Sequence, residues 1–584
     1  MTTEQDSKDL PDIEVGEDHV LAHNVDEEPV EANRRLFEGG LLKFVALLAI
    51  AYSAFHLYSL NIAPLETWSF RIVHIAGALV LGFVLFAGAR FVSSEEGGAR
   101  HRWTTWISAG AMLPALYVLY QTFSFWQMVQ NGAMRIPVEL EVWHFGWPLL
   151  AATGVGIVMS WFHQRERSVF SVPDLVLIVC SLAVAAYFLV VYNTSMRMST
   201  GTSFAPVGIS FAAIAGTALI MELTRRVAGM ALVIIGLVFL AYVFAGPYLP
   251  GFLGYPGLSV QRFFSQVYTD AGILGPTTAV SSTYIILFII FAAFLQSSKV
   301  GDYFVNFAFA AAGRSRGGPA KVSIFASGLM GMINGTSAGN VVSTGSLTIP
   351  LMKKVGYSKQ SAGAVEAAAS TGGQIMPPIM GAGAFIMAEI TGIPYTEIAI
   401  AAIIPAILYF ASVYFMVDFE AAKTGMRGMR EDELPKLRTM MKQCYLFVPI
   451  IILIVALFMG YSVIRAGTLA TVSAAVVSWL SPNKMGLRHI LQALEIASYM
   501  AIQIIVVCAA AGVIVGVISL TGVGARFSVL LLDVAATSQL LALIFAMFIS
   551  ILLGMGMATT AAYAVAASVV APGLIQLGIE PLTA

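Results

Sequence analysis

Charge is scarce in this 584-residue chain: Asp, Glu, Lys and Arg make up 11% of it, against 58% hydrophobic residues, where soluble chains carry about 25% charge. With a mean hydropathy of +0.82, that deficit excludes an ordinary soluble protein and any large soluble domain. Cysteine is rarer still. Cys180, Cys444 and Cys508 lie in or at the edge of separate apolar runs, which excludes a CxxC metal site and argues against a disulfide framework, leaving small packing residues. No GxxxxGK[ST] phosphate loop occurs, so a primary pump is disfavoured.

What is present is a series of apolar runs, each about the 20 residues needed to cross a hydrocarbon core, recurring from about residue 41 to the C-terminus. They are long and apolar on all faces, unlike barrel strands of about 10 alternating residues. The fold class is therefore all-α polytopic membrane protein. Residues 1–33 stand apart, with eleven acidic side chains against Lys8; such a segment cannot bury a core and is expected to be a disordered cytoplasmic tail. It lacks a charged-then-apolar leader pattern, so the first span is expected to stay as an anchor.

Spans are predicted near 41–61, 71–92, 105–124, 146–162, 172–192, 205–221, 227–246 and 283–298. Arg34 and Arg35, then Arg90, Arg100 and Arg102, then Arg165 and Arg167, then Arg225 and Arg226 make every second connection basic, the pattern of a cytoplasmic N-terminus. Lys321 and the pair Lys353, Lys354 bracket the next apolar stretch, placing both its ends on one side. A single helix cannot do that. The middle of the stretch, Gly331 to Asn340, is polar and glycine-rich, so residues 322–352 read as a re-entrant hairpin. Further spans are predicted near 361–391, 397–417, 444–460, 466–480 and 498–519.

The unit repeats. Val300-Gly301, Pro350 and Gly356 are matched by Val523-Gly524, Pro572 and Gly578; the first interval is 49 positions in one copy and 48 in the other, and the second is six in both. A second hairpin is thus expected at about 538–578, with its turn at Gly554 to Thr560. The basic loop holding Lys423, Arg427, Arg430, Lys436, Arg438 and Lys442 makes this copy start on the outer side, giving an inverted repeat like those of many secondary transporters. Irregular backbone at membrane depth survives only inside protein or along a wet cavity, and half-helix ends there suit anions and cations.

Side chains fit for such a site are Asn334, Thr336, Ser337 and Asn340. Downstream, Thr371 to Pro378 must interrupt a helix, because Pro377 and Pro378 lack amide donors and Gly372 and Gly373 loosen the turn. Glu366, just before that break, is an intramembrane carboxylate and a candidate for proton or ion coupling; Glu389 reads as structural or interfacial. His56, His74 and His144 lie near span ends, where interfacial packing is expected. The plainer alternatives are a kinked helix whose hydroxyls bond their own backbone and a satisfied structural carboxylate at Glu366.

Asn334-Gly-Thr-Ser-Ala-Gly-Asn340, Thr348-Ile-Pro-Leu-Met-Lys353, Gly363-Ala-Val-Glu-Ala, Ser370-Thr-Gly-Gly-Gln-Ile-Met-Pro-Pro378 and Ala384-Phe-Ile-Met-Ala-Glu389 resemble the large subunit of TRAP transporters, in the fused-permease form that works with TAXI-type receptors. The likeness runs from about residue 225 to the end; residues 34–224 are similar to the fused small-subunit part, by hydropathy more than by motif. It implies an elevator-type secondary transporter of the inner membrane of a prokaryote, driven by a Na+ or H+ gradient. An extracytoplasmic TAXI-type binding protein would deliver a small organic acid; no cofactor, nucleic acid or metal beyond a transported Na+ is implied. Carried over, the first substrate and cation site comprises Asn334, Gly335, Thr336, Ser337, Asn340, Thr371, Gly372 and Gln374, with the helix break at Gly373, Pro377 and Pro378. The second cation site comprises Gly556, Thr559 and Thr560. Ala558 stands where the family usually has proline, and the second copy stops at Ala584 before any counterpart of the broken helix, so an incomplete chain is expected.

Alternatives are a receptor-independent carboxylate symporter and an inactive membrane scaffold. An enzyme is disfavoured: Gly335 to Gly339 matches GxSxG, but that motif needs a strand-to-helix turn and a base, and no histidine occurs between His163 and His489. Single cysteines placed along 322–352 should label at both ends from one side of the membrane, and labelling of the bend on the opposite surface would show an unbroken span.

Overall fold

A backbone amide in hydrocarbon finds no partner outside its own segment, so apolar runs of this length fold as helices. The computed structural model describes residues 33–89, 91, 100–133, 135–163, 167–191, 200, 202, 205–481, 484–555 and 559–584; the acidic tail and Gly556 lie outside them. Among the described residues ten helices are long and apolar enough to cross a membrane, and the only β pairing is an isolated bridge between Arg34 and Phe86. The protein is an all-α polytopic membrane protein.

The chain divides into two compact units. The larger comprises residues 33–297, 381–400 and 449–584. Its most buried helices are Pro276–Ser297 and Leu487–Thr521, and the first two helices, Gly39–Asn61 and Thr67–Leu85, are joined to them by polar contacts. Ser53 Oγ donates to the Leu494 carbonyl at 2.7 Å and lies 2.6 Å from Ser498 Oγ, which donates to the Ala49 carbonyl.

His56 and His74 are fully buried within the protein. His56 Nδ1 faces the Tyr52 carbonyl at 2.8 Å and so donates to it; the neutral ring's Nε2 must then accept from His74 Nδ1, also at 2.8 Å. His74 Nε2 in turn accepts from Ser281 Oγ at 2.8 Å. One carbonyl thus fixes the tautomer of both rings and the direction of every proton between three helices. His144, by contrast, is exposed and bonds Tyr117.

A second polar cluster explains two displaced helix ends. The span expected to stop at 221 runs on as Val207–Val227, because Glu222, Arg225 and Arg226 are neutralised where they stand. Arg226 pairs with Asp174 at 2.7 Å and with Glu222 at 2.8 Å, Arg225 pairs with Glu222, and Trp161 Nε1 donates to Glu222 at 2.9 Å. Arg35 pairs with the other oxygen of Asp174. The span expected to reach 92 ends at Leu85, where its last carbonyls are capped by guanidinium groups: Arg35 donates to Phe83 and Val84, and Arg226 to Phe86.

The smaller unit comprises residues 298–380 and 401–448. Its helices are Val300–Ala312, Gly318–Asn334, Ser337–Lys354 and Lys359–Gly372, with most of Tyr395–Thr424. Ala320, Ile324, Met352, Tyr357, Ala362, Val365, Ala369 and Val417 form its apolar core. Lys321 and Arg316 both pair with Asp418, tying the start of the first hairpin arm to Tyr395–Thr424.

Both copies of the repeat are built from the same local elements. A left-handed residue, Lys299 in one copy and Gly522 in the other, precedes the helices Val300–Ala312 and Val523–Thr537. Two arms follow in each, Gly318–Asn334 with Ser337–Lys354, and Gln539–Gly554 with Thr559–Val569 and Ala571–Gln576. Each copy then turns at a glycine with positive φ, Gly356 or Gly578.

Asp174 lies 1% exposed between two arginines. Asp174→Asn leaves buried Arg35 without its carboxylate, while Arg226 keeps only Glu222, and removing one partner of a buried pair costs about 3–5 kcal/mol. A marked fall in the melting temperature of the detergent-solubilised protein is expected, whereas an unchanged value would show the network to be idle.

Candidate functional site

The first hairpin turns in two residues, Gly335 and Thr336. The arm Gly318–Asn334 ends on Gly335, whose φ of 61° favours a residue without Cβ and whose amide bonds the Gly331 carbonyl at 3.3 Å. Thr336 is extended and caps the next helix, its Oγ1 accepting from the Gly339 amide at 3.3 Å. Ser337 is therefore the first residue of a helix that follows another helix, not the apex of a strand-to-helix turn as GxSxG requires. The bend brings the carbonyl end of one helix beside the amide end of the next. The first offers partial negative charge to a cation and the second partial positive charge to an anion.

The other wall of the site is the broken helix. Lys359–Gly372 tightens into a single 3-10 turn, Gly373–Ile375, and the chain passes through a cis bond between Pro377 and Pro378 before helix Ala382–Thr391 begins. The interruption is where the sequence placed it. Gly373 is an approach point: a Cβ there would lie 2.8 Å from Gly331 Cα and 2.7 Å from Asn340 Nδ2. Arm, second arm and break therefore converge on Gly331, Asn340 and Gly373.

Asn340 is fully buried at that convergence. Its amide nitrogen donates to the Ser327 carbonyl at 2.8 Å and reaches the Ser370 carbonyl at 3.4 Å, while its Oδ1 has no hydrogen-bond partner. A buried acceptor left open costs about 1–3 kcal/mol, and an amide oxygen of this kind is a suitable ligand for a hard cation. The other sequence-derived residues are distributed around it. Gly372 packs against Tyr409, Gln374 is half-buried, and Thr371 is exposed with its hydroxyl bonded to the Ala367 carbonyl.

Around Glu366 the structure assembles residues that motif reading did not single out as a group. Ser323, Ser327, Thr344, Thr348 and Ser370 are all fully buried, as is Glu366. Ser323 and Thr348 bond Glu366 Oε2 at 2.8 and 2.5 Å, and Thr344 and Ser370 bond Oε1 at 2.5 and 3.2 Å. The available signal was the four-residue spacing: Ser323 and Ser327, then Asn340, Thr344 and Thr348, then Glu366 and Ser370, one polar stripe on each of three helices.

In the second hairpin, Thr559 opens helix Thr559–Val569 and is exposed, whereas Thr560 is buried. Phe527, Leu531, Ala542, Ala546, Val570 and Leu574 form the apolar core of this copy.

Residues 215–584, well over half of the chain, match the family described as "Tripartite ATP-independent periplasmic transporter, DctM component". The C4-dicarboxylate TRAP transporter large permease protein DctM of Vibrio cholerae is 37% identical over 91 residues, 16% of this chain and 20% of that protein. A putative TRAP transporter large permease protein of Haemophilus influenzae is 21% identical over 329 residues, 56% of this chain and 76% of that protein. An uncharacterized protein, y4mL, of Sinorhizobium fredii is 25% identical over 138 residues, 24% and 32% of the two chains. The matches thus span a fifth, three quarters and a third of these relatives. A multi-pass helical protein with a helix–turn–helix bend and an interrupted helix inside the matched segment, this chain belongs to the DctM component family of the tripartite ATP-independent periplasmic transporters.

Proposed function

We propose that this chain is the membrane permease of an ion-gradient-driven transporter that takes up small organic acids handed over by an extracytoplasmic binding protein. The observation that carries the reading is the convergence at the first hairpin: opposed helix ends, and the open, buried Asn340 Oδ1 beside Gly373, within the segment that matches the family. The carbonyl end and Asn340 suit the coupling cation, and the amides at the start of Ser337–Lys354 suit a carboxylate.

The Vibrio relative is named for C4-dicarboxylates, and the chemistry of this bend agrees with that class, since amides and hydroxyls recognise a carboxylate without a buried arginine. In this reading residues 34–224 serve as a fused small subunit, the receptor is of the TAXI type, and the N-terminus is cytoplasmic in the inner membrane. The second hairpin, with Gly556, Thr559 and Thr560, supplies a second cation site, and the solute crosses by an elevator movement.

Reconstitution with the receptor and labelled C4-dicarboxylates under imposed Na+ or H+ gradients tests it. Receptor-dependent uptake is expected; uptake without receptor supports a stand-alone symporter, and none under any gradient supports a scaffold. Ser337→Ala removes a hydroxyl at the bend and should lower kcat/KM about tenfold, the worth of one hydrogen bond to a charged group, with the melting temperature unchanged. Undiminished uptake would take Ser337 out of the site.

A further inference from the structure

We propose that Glu366 carries a coupling proton, and that the hydroxyls around it are arranged to satisfy the carboxyl with or without that proton. The proposal rests on the transport reading above and deepens it by naming the ion and the atom that holds it.

Glu366 is fully buried, and among the described residues no lysine, arginine or histidine pairs with it. All its partners are hydroxyls, from Ser323, Thr344, Thr348 and Ser370. Each hydroxyl has one proton to give. Directed inward, the four protons satisfy both oxygens of a carboxylate.

Three of the four hydroxyls also have a second acceptor in reach. Thr344 Oγ1 lies 2.8 Å from the Asn340 carbonyl, Thr348 Oγ1 lies 3.0 Å from the Thr344 carbonyl, and Ser370 Oγ lies 3.4 Å from Ser327 Oγ. When a proton adds to Glu366, one O–H bond forms at a carboxylate oxygen and the charge falls to zero. With the proton on Oε1, the new O–H donates to Thr344 Oγ1, Thr344 turns its own proton to the Asn340 carbonyl, and Ser323 and Thr348 continue to donate to Oε2. Release reverses each step. Neither state leaves either carboxyl oxygen of Glu366 unmet, so loading requires only hydroxyl rotations.

Two observations separate this cage from ordinary packing. The first is clearance: a Cβ at Gly345 would lie 2.9 Å from Glu366 Cγ and 3.2 Å from Cδ, so the facing helix is cut back to admit the carboxyl. The second is the repeat. Ser337 and Thr559 start equivalent helices, 222 positions apart like Pro350 and Pro572. At that offset Asn340, Thr344 and Thr348 correspond to Ala562, Ala566 and Val570. The second hairpin arm folds with apolar residues at all three positions, so the hairpin does not need the polar stripe.

The cage is joined to the bend, because Thr344 bonds the Asn340 carbonyl and Ser327 lies 3.3 Å from Thr344 Oγ1 while its own carbonyl holds the Asn340 amide. Other titratable groups on the surrounding helices are engaged elsewhere or exposed. Lys321 pairs with Asp418, Lys354 pairs with Glu433, Lys353 and Lys359 are exposed, and Tyr409 donates to the Ala368 carbonyl. Tyr357 and Tyr414 lie in and against the apolar core, and Lys321 sits over the Tyr414 ring.

The test uses the full-length protein in liposomes with its receptor, labelled succinate as the C4-dicarboxylate, and a trapped pH-sensitive dye. Wild type should exchange succinate, accumulate it when the outside is acidic, and acidify the lumen as it does so. Glu366→Gln keeps the shape and the hydrogen bonds but takes up no proton; exchange should persist within about threefold, while accumulation falls at least tenfold and the dye signal is lost. Accumulation undiminished in Glu366→Gln, or exchange lost in step with it, overturns the proposal. Should that variant not fold, Thr348→Val decides: with one donor fewer for the anion, the uptake–pH profile should move to higher pH, and an unmoved profile overturns the proposal. Wild type that exchanges succinate but accumulates it only on a sodium gradient overturns the proton assignment and leaves the transport reading intact. Wild type that exchanges no succinate counts against the transport reading itself and removes the ground of the proposal.

Discussion

Every polar group at membrane depth in this protein must find its partner within the protein, because the hydrocarbon offers none. That constraint turns the apolar runs into helices, and it also governs the exceptions. Where charged residues lie in helices, as at Asp174, Glu222 and Arg226, they are gathered into one network. Where histidines are buried, a single carbonyl orders them. Where a helix is broken, the freed groups are gathered at one bend. Asn340 Oδ1 is the acceptor at that bend that the constraint leaves open.

The two hairpin copies show how one backbone plan serves different chemistry. Left-handed starts at Lys299 and Gly522 and positive-φ glycines at 356 and 578 give them the same outline. Their interiors differ: hydroxyls and an amide line the second arm of one, while alanine and valine stand at the corresponding places of the other. Backbone geometry specifies the bend, and side-chain choice specifies what the bend can hold.

Much of this was legible in the sequence, because the signals were local. Lysines at both ends of one apolar stretch, glycines in its middle, paired prolines after Gly372 and the recurring Val-Gly, Pro and Gly pattern each act within a few residues. Helix ends were less legible. Val207–Val227 and Leu487–Thr521 run past the expected limits, the first because its charges are cancelled by residues more than 40 positions away. The His56–His74–Ser281 chain and the hydroxyl cage depend on contacts between separate helices, and no single segment announces them. Their residues were visible, but their grouping follows from packing.

Gly331 and Gly373 meet backbone to backbone, with no side chain between them to yield. Soft side chains absorb small displacements, but two facing α-carbons do not. The hairpin arm and the turn after Lys359–Gly372 are therefore geared together: a tilt of one is passed to the other without slack, and an ion or solute that settles at the bend would be felt at once along both helices.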